Sequence, residues 1–210
     1  LEQNTTANHN TALGHEALKV NTTGSENVAV GANALDSNTS AAENVAVGYL
    51  ALEANTTGNY NTALGARALD ANTTAASNTA IGRLSLTNNT TGANNTAVGH
   101  ASLSSQTTAD ANTAVGVQAG QAITTGIRNT AVGWQALYTS TTQNYNTAIG
   151  TGALYTSVAE NGTAVGYYAA VNNTTGAEIT AIGKGALSAN TTGNYNTAVG
   201  KDALQNNTTA

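Results

Sequence analysis

Asn44-Val45-Ala46-Val47-Gly48-Tyr49-Leu50-Ala51-Leu52-Glu53-Ala54-Asn55-Thr56-Thr57-Gly58-Asn59-Tyr60 is one complete unit of a tandem repeat. Its opening pentapeptide recurs at residues 10, 27, 44, 61, 78, 95, 112, 129, 146, 162, 179 and 196, each step being 17 residues except one of 16 between Asn146 and Gly162. The consensus is N-T-A-V-G-x-x-A-L-x-x-N-T-T-G-x-x. Internal repetition outranks every other sequence signal for fold, and this one runs from end to end. Residues 1–210 therefore read as a single repeat domain. Leu1 falls at the ninth position of the unit and Ala210 at the fifteenth, so neither end carries an atypical capping unit. The expectation is a segment of a longer array, or a chain that stacks end to end.

Seventeen residues are too few for the two helices of a helical repeat, which needs about 33 or more. No stretch has a 3.6-residue apolar period, whereas Val, Ile and Thr favour strands and Asn and Gly favour turns. The sequence thus predicts an all-β fold, a parallel β-solenoid of about twelve coils. At about 4.8 Å per coil this is a rod on the order of 58 Å long. The fifth position is Gly in all twelve units, from Gly14 to Gly200. Such a position marks a corner that requires positive φ or close backbone approach.

The third position is always Ala and the fourth always Val, Leu or Ile. Strand neighbours point to opposite faces, so one of these two apolar columns must lie outside the coil. A column of twelve branched aliphatics is a poor surface to leave in water. We therefore expect a homo-oligomer whose interface is built from Leu13, Val30, Val47, Leu64, Ile81, Val98, Val115, Val132, Ile149, Val165, Ile182 and Val199. The competing arrangement puts these residues inside and the alanines outside. Position eight (Ala or Ser) and position nine (Leu, apart from Gly120 and Ala170) read as core. Positions one and twelve, mostly Asn, suggest amide ladders between coils. The Thr pair at thirteen and fourteen persists where Asn is lost, as in Gln106-Thr107-Thr108 and Ser140-Thr141-Thr142. It reads as structural, with one hydroxyl inward and one outward, and the Asn-Thr-Thr glycosylation sequon as incidental.

Composition excludes several functions. There is no Pro, Cys, Met or Phe, only 8% of residues are charged, and the net charge is −5. Disulfides and thiolate metal sites are absent with the cysteines. Six Lys and Arg spread over the chain cannot follow a run of phosphates, which argues against nucleic acid. Apolar runs of a few residues fall far short of the roughly 20 that span a bilayer.

No chemistry assembles itself in the repeat. His9, His15 and His100 fall on variable positions, and no Ser has a His and an Asp within reach. Asp36, Glu53 and Asp70 share position ten of consecutive units but lack the clustered oxygens of a calcium site. The chain reads as non-catalytic, without metal or cofactor. The least uniform surface lies between Trp134 and Tyr168, where six of the nine aromatics fall. Trp134, Tyr138, Tyr155, Tyr167 and Tyr168 are the candidates for a glycan or surface contact. Tyr138 and Tyr155, at position ten of adjacent units, should hold their rings about 5 Å apart.

The unit as it stands in residues 44–60 resembles repeats of phage and bacterial proteins of tail-fibre type. It is also similar to the shorter Ala-Ile-Gly-containing repeat of trimeric autotransporter adhesin heads. That resemblance implies a left-handed parallel β-roll assembled as a homotrimer; a helical filament would cover the second apolar face equally well. It implies a structural rod of an extracellular fibre, on a virion or a cell surface, with identical chains as partners and surface glycans as ligands. From another class of function, columns of Thr at coil spacing would suit an ice-binding solenoid.

Overall fold

The computed structural model describes residues 1–210, and it is a solenoid. Twelve three-residue strands, β1 (Thr11–Leu13) to β12 (Thr197–Val199), form one parallel sheet in sequence order. Pairing is in register throughout: Ala12 faces Ala29, Ala46 faces Ala63, and Ala181 faces Ala198. The 16-residue step leaves this register intact, because Ala148 still pairs with Ala164. There are no helices, and none that could cross a membrane.

Each strand is the centre of its coil rather than the whole of it. Hydrogen bonds between coils continue around the circuit, as when Leu18 donates to Ala34 O (3.1 Å) and Thr22 to Thr39 O (2.9 Å). The irregular-looking residues thus have their backbone groups satisfied by neighbouring coils, as buried backbone must.

The strand turns its alanine inward. Ala29, Ala46, Ala63 and Ala80 are fully buried, while every aliphatic at the fourth position is half-buried or exposed. The arrangement with the alanines outside is therefore corrected. The reason is space: coil walls this close leave room for a methyl from the strand, with Leu reaching across from position nine. Leu18, Leu35, Leu52, Leu69 and Leu86 are all fully buried. Where Leu is lost, an apolar residue replaces a ladder amide. Gly120 stands at position nine, and a Cβ there would come within 3.1 Å of Ile123 Cδ1, which has entered from position twelve.

The other half of the interior is polar. Asn at position twelve is buried, and its amide donates within its turn and to the preceding coil: Asn38 Nδ2 reaches Ala41 O (3.0 Å) and Asn21 Oδ1 (2.7 Å). At position one, Asn10 Oδ1 accepts the Asn27 backbone N–H (2.9 Å), and the same bond recurs from Asn61 to Asn44. Buried amides need such full pairing. From Asn21 to Asn190 the asparagines at position twelve are sealed inside the rod, so the Asn-Thr-Thr sequons of those coils are inaccessible in the folded chain.

The Thr pair differs from expectation. Neither hydroxyl points into the core. The first Thr lies along the axis and bonds the next coil, Thr56 Oγ1 to Thr73 O at 3.0 Å, while the second is exposed. Asn at position twelve already fills the interior at this corner.

Four backbone sites per coil have positive φ. The fifth-position glycines lie between +123° and +142°. Positions seven, nine and seventeen are also left-handed, and apart from Gly120, Gly152 and Gly185 they carry side chains, such as Arg67 (58°), Leu69 (52°) and Tyr60 (62°). Each donates its N–H to an adjacent coil: Arg67 to Tyr49 O, Leu69 to Ser85 O and Tyr60 to Ala42 O.

Candidate functional site

Two surfaces depart from a plain polar coat. The first is the outer strand face, where position two (Thr or Val) and position four alternate with the inward alanine. Leu64 is 46% exposed, Ile149 40% and Ile182 40%, and the aliphatic column runs unbroken from Leu13 to Val199. All twelve interface candidates named from sequence sit in this one column.

The second surface lies beyond the glycine corner, where positions six and seven face positions ten and eleven. Here the file of side chains is uneven enough to form clefts. Trp134, Gln135, Tyr155, Thr156, Tyr168, Val171 and Asn172 line one of about 380 Å³. Tyr168, Val171 and Asn172 also line a second cleft of about 280 Å³, with Tyr167, Lys184, Gly185, Ser188, Asp202 and Gln205. A third, of about 310 Å³, is bounded by Ser105, Gln121, Ala122, Tyr138 and Thr139. Gln121 Oε1 is buried there without a partner.

Tyr138 and Tyr155 stack with centroids 5.1 Å apart and planes 10° from parallel. The spacing agrees with the sequence reading, but the facing surfaces of the two rings cover each other. Tyr138 therefore turns its free side to the third cleft and Tyr155 turns its own to the first. Tyr168 lies over Gly152, where any Cβ would collide with its ring. It is tilted 48° against Tyr167 at 4.2 Å, and the neighbouring Tyr167 phenol pushes the Tyr168 pKa up. Lys184 Nζ sits 5.9 Å from the Tyr167 ring centre. Gln135 is fixed by a bond from its Nε2 to Gln118 Oε1 (2.9 Å), and Asn172 by one from its Nδ2 to Ser188 O (2.9 Å).

All five aromatic candidates from sequence border these clefts. Tyr145 does not; it lies at another corner, where Arg128 donates to its hydroxyl (3.1 Å). Sequence reasoning missed the part played by Gly152 and by the amides of Gln135 and Asn172. The signal was there, since position seven is Gly only in units containing Gly152 and Gly185.

The acidic column is also assembled as expected in position. Burial raises the pKa of Asp36, with Glu16 adding to it; burial and then Asp70 raise that of Glu53; burial raises Asp70 against the pull of Arg67. No three His, Asp or Glu side chains converge in a metal-holding group. Comparisons with protein-family models, curated proteins and solved structures found no match for this chain.

Proposed function

We propose that the chain is a non-catalytic structural rod of an extracellular fibre or filament, assembled side by side from identical copies. The observation that carries this reading is the aliphatic column on the outer strand face. A rod with one large apolar side chain per coil inside keeps a second, equally regular apolar column outside, and burial of that column contributes about 25 cal/mol per Å² removed from water. A straight ladder repeated every coil is self-complementary to another copy, which suits closed symmetry or a continuing helix. The resemblance to tail-fibre repeats and to adhesin heads supports the same reading, and a homotrimer is its simplest form.

The ice-binding alternative has less support. The first Thr of each pair spends its hydroxyl on the next coil, as in Thr39 to Thr56 O (3.2 Å), which leaves one free column instead of two at that corner.

Multi-angle light scattering of the intact chain tests the assembly. The expected result is a discrete oligomer or filament, reduced to monomer when Val47, Leu64 and Ile81 are all changed to Lys. Circular dichroism of the variant checks that its coils remain folded. A native chain that stays monomeric and folded overturns the proposal.

A further inference from the structure

We propose that the groove formed by positions six, seven, ten and eleven of the coils from Trp134 to Gln205 binds a neutral linear oligosaccharide laid along the rod axis. The inference goes beyond the fibre reading and stands without it, because every residue it uses belongs to one chain.

Shape is the first ground. Two of the clefts share Tyr168, Val171 and Asn172, so they form a continuous trough parallel to the axis rather than a closed pocket. Coils advance by about 4.8 Å, close to the advance of one pyranose unit in an extended glycan. A polymer whose own repeat matches the coil step can therefore present equivalent atoms to successive coils.

Chemistry is the second. The larger cleft contains no formal charge: it combines Trp134, Tyr155 and Tyr168 with the amides of Gln135 and Asn172. Aromatic faces receive the C–H side of a sugar ring, and amides pair with hydroxyls in both directions. Trp134 is 48% exposed, and Tyr155 has one ring face free because Tyr138 covers the other. The Asn172 amide N–H is engaged with Ser188 O, which holds its carbonyl oxygen in a fixed place. Lys184 and Asp202 stand only in the second cleft, so a charged polysaccharide gains no row of partners along the trough.

The trough is a local construction, not a property of the repeat. It exists because Gly152 lacks a side chain and Tyr168 lies in the notch, and because Val171, shorter than Tyr138 or Tyr155, stands at position ten of the next coil. Gly152 is thus a positioning residue: it sets where the Tyr168 ring stands without touching a ligand.

Trp134 is the only tryptophan, so its fluorescence reports the site directly. The intact chain is titrated separately with cellohexaose, chitohexaose, maltohexaose and mannohexaose. We expect a saturable change in Trp134 emission with at least one of them. Tyr155→Ala should weaken that binding about tenfold, the equivalent of one lost ring contact. Gly152→Leu should weaken it similarly, since Leu50 and Leu84 occupy the same left-handed position elsewhere and the coil tolerates the residue. Tyr49→Ala, an exposed aromatic outside the trough, should change nothing. The proposal is overturned if none of the four sugars gives a saturable response, if the response survives both Tyr155→Ala and Gly152→Leu, or if a decaproline peptide saturates the signal and the sugars do not.

Discussion

A glycine at the fifth position meets two separate demands, and the last coil separates them. At Gly48 an added Cβ would lie 2.6 Å from the backbone carbonyl of Gly65 in the next coil, with φ at +140°. At Gly200 the backbone is similar, φ +123°, yet nothing lies within 4 Å. In a chain of residues 1–210 alone, Gly200→Ala should therefore lose only the backbone term, on the order of 1 kcal/mol. Gly48→Ala adds a collision with main chain that cannot turn aside, and should lose at least twice as much. Urea midpoints of the two variants check this, and equal losses would show that coil contact plays no part. This corner was legible in the sequence because only one residue type satisfies it. The left-handed sites at seven, nine and seventeen were not, since they carry Leu, Arg, Glu and Tyr. Their conformation is held by hydrogen bonds to the coils on either side, information that no single unit contains.

Along a column, neighbours are set by the repeat, so stacked carboxylates cannot avoid each other. Asp36, Glu53 and Asp70 all bind protons more tightly in the folded chain than their ordinary values of 3.8, 4.5 and 3.8 imply, chiefly through burial. The folded state then favours protonation, so this column's contribution to stability rises as pH falls through the raised pKa values, and it is complete below the ordinary ones. Glu16 has the opposite sign, since its bond to Lys19 lowers its pKa. A comparison that leaves Glu16 in place isolates the column. Glu53→Gln with Asp70→Asn should be more stable than the native chain at pH 7, and the advantage should shrink as pH falls to 4 and below. Urea midpoints across that range would contradict the account if the variant were no more stable at neutral pH. The columns themselves were readable from the period alone: it placed Tyr138 over Tyr155 and the acids over one another. What it could not give was the free side of each ring, because that depends on which neighbour is short, and Gly152 and Val171 are departures from the consensus rather than part of it.

The whole rod behaves as a one-dimensional stack, in which stability is a sum of coil terms and nearest-neighbour terms, so a single weak junction matters more than it would in a globular core. One is present. At the Thr corner each coil donates to the next, as Thr56 N–H does to Thr73 O (2.8 Å) and Thr124 N–H to Thr141 O (2.8 Å). Between residues 140–143 and 157–159 this bond is missing: the amides of Thr141 and Thr142 turn instead to Gln143 Oε1, at 2.8 and 3.1 Å. The following unit is the one that is a residue short, and the deletion falls at this same corner. The asparagine ladder is broken over the same span by Ile123, Ser140 and Ser157, resuming where Asn190 Nδ2 meets Asn173 Oδ1 at 2.7 Å. The strand side of the junction is intact, with Gly150 N–H on Val132 O at 2.7 Å. The seam therefore opens on one side only. Hydrogen exchange should find Thr141 the least protected of the first-Thr amides at the interior corners, exchanging faster than Thr90 and Thr107. Inserting Thr after Val158 while changing Ser157 to Asn restores the 17-residue step, and should raise stability by about 1 kcal/mol for the hydrogen bond regained. If Thr141 is as protected as Thr90 in the native chain, the junction is no weaker than its neighbours, and the insertion should then gain nothing.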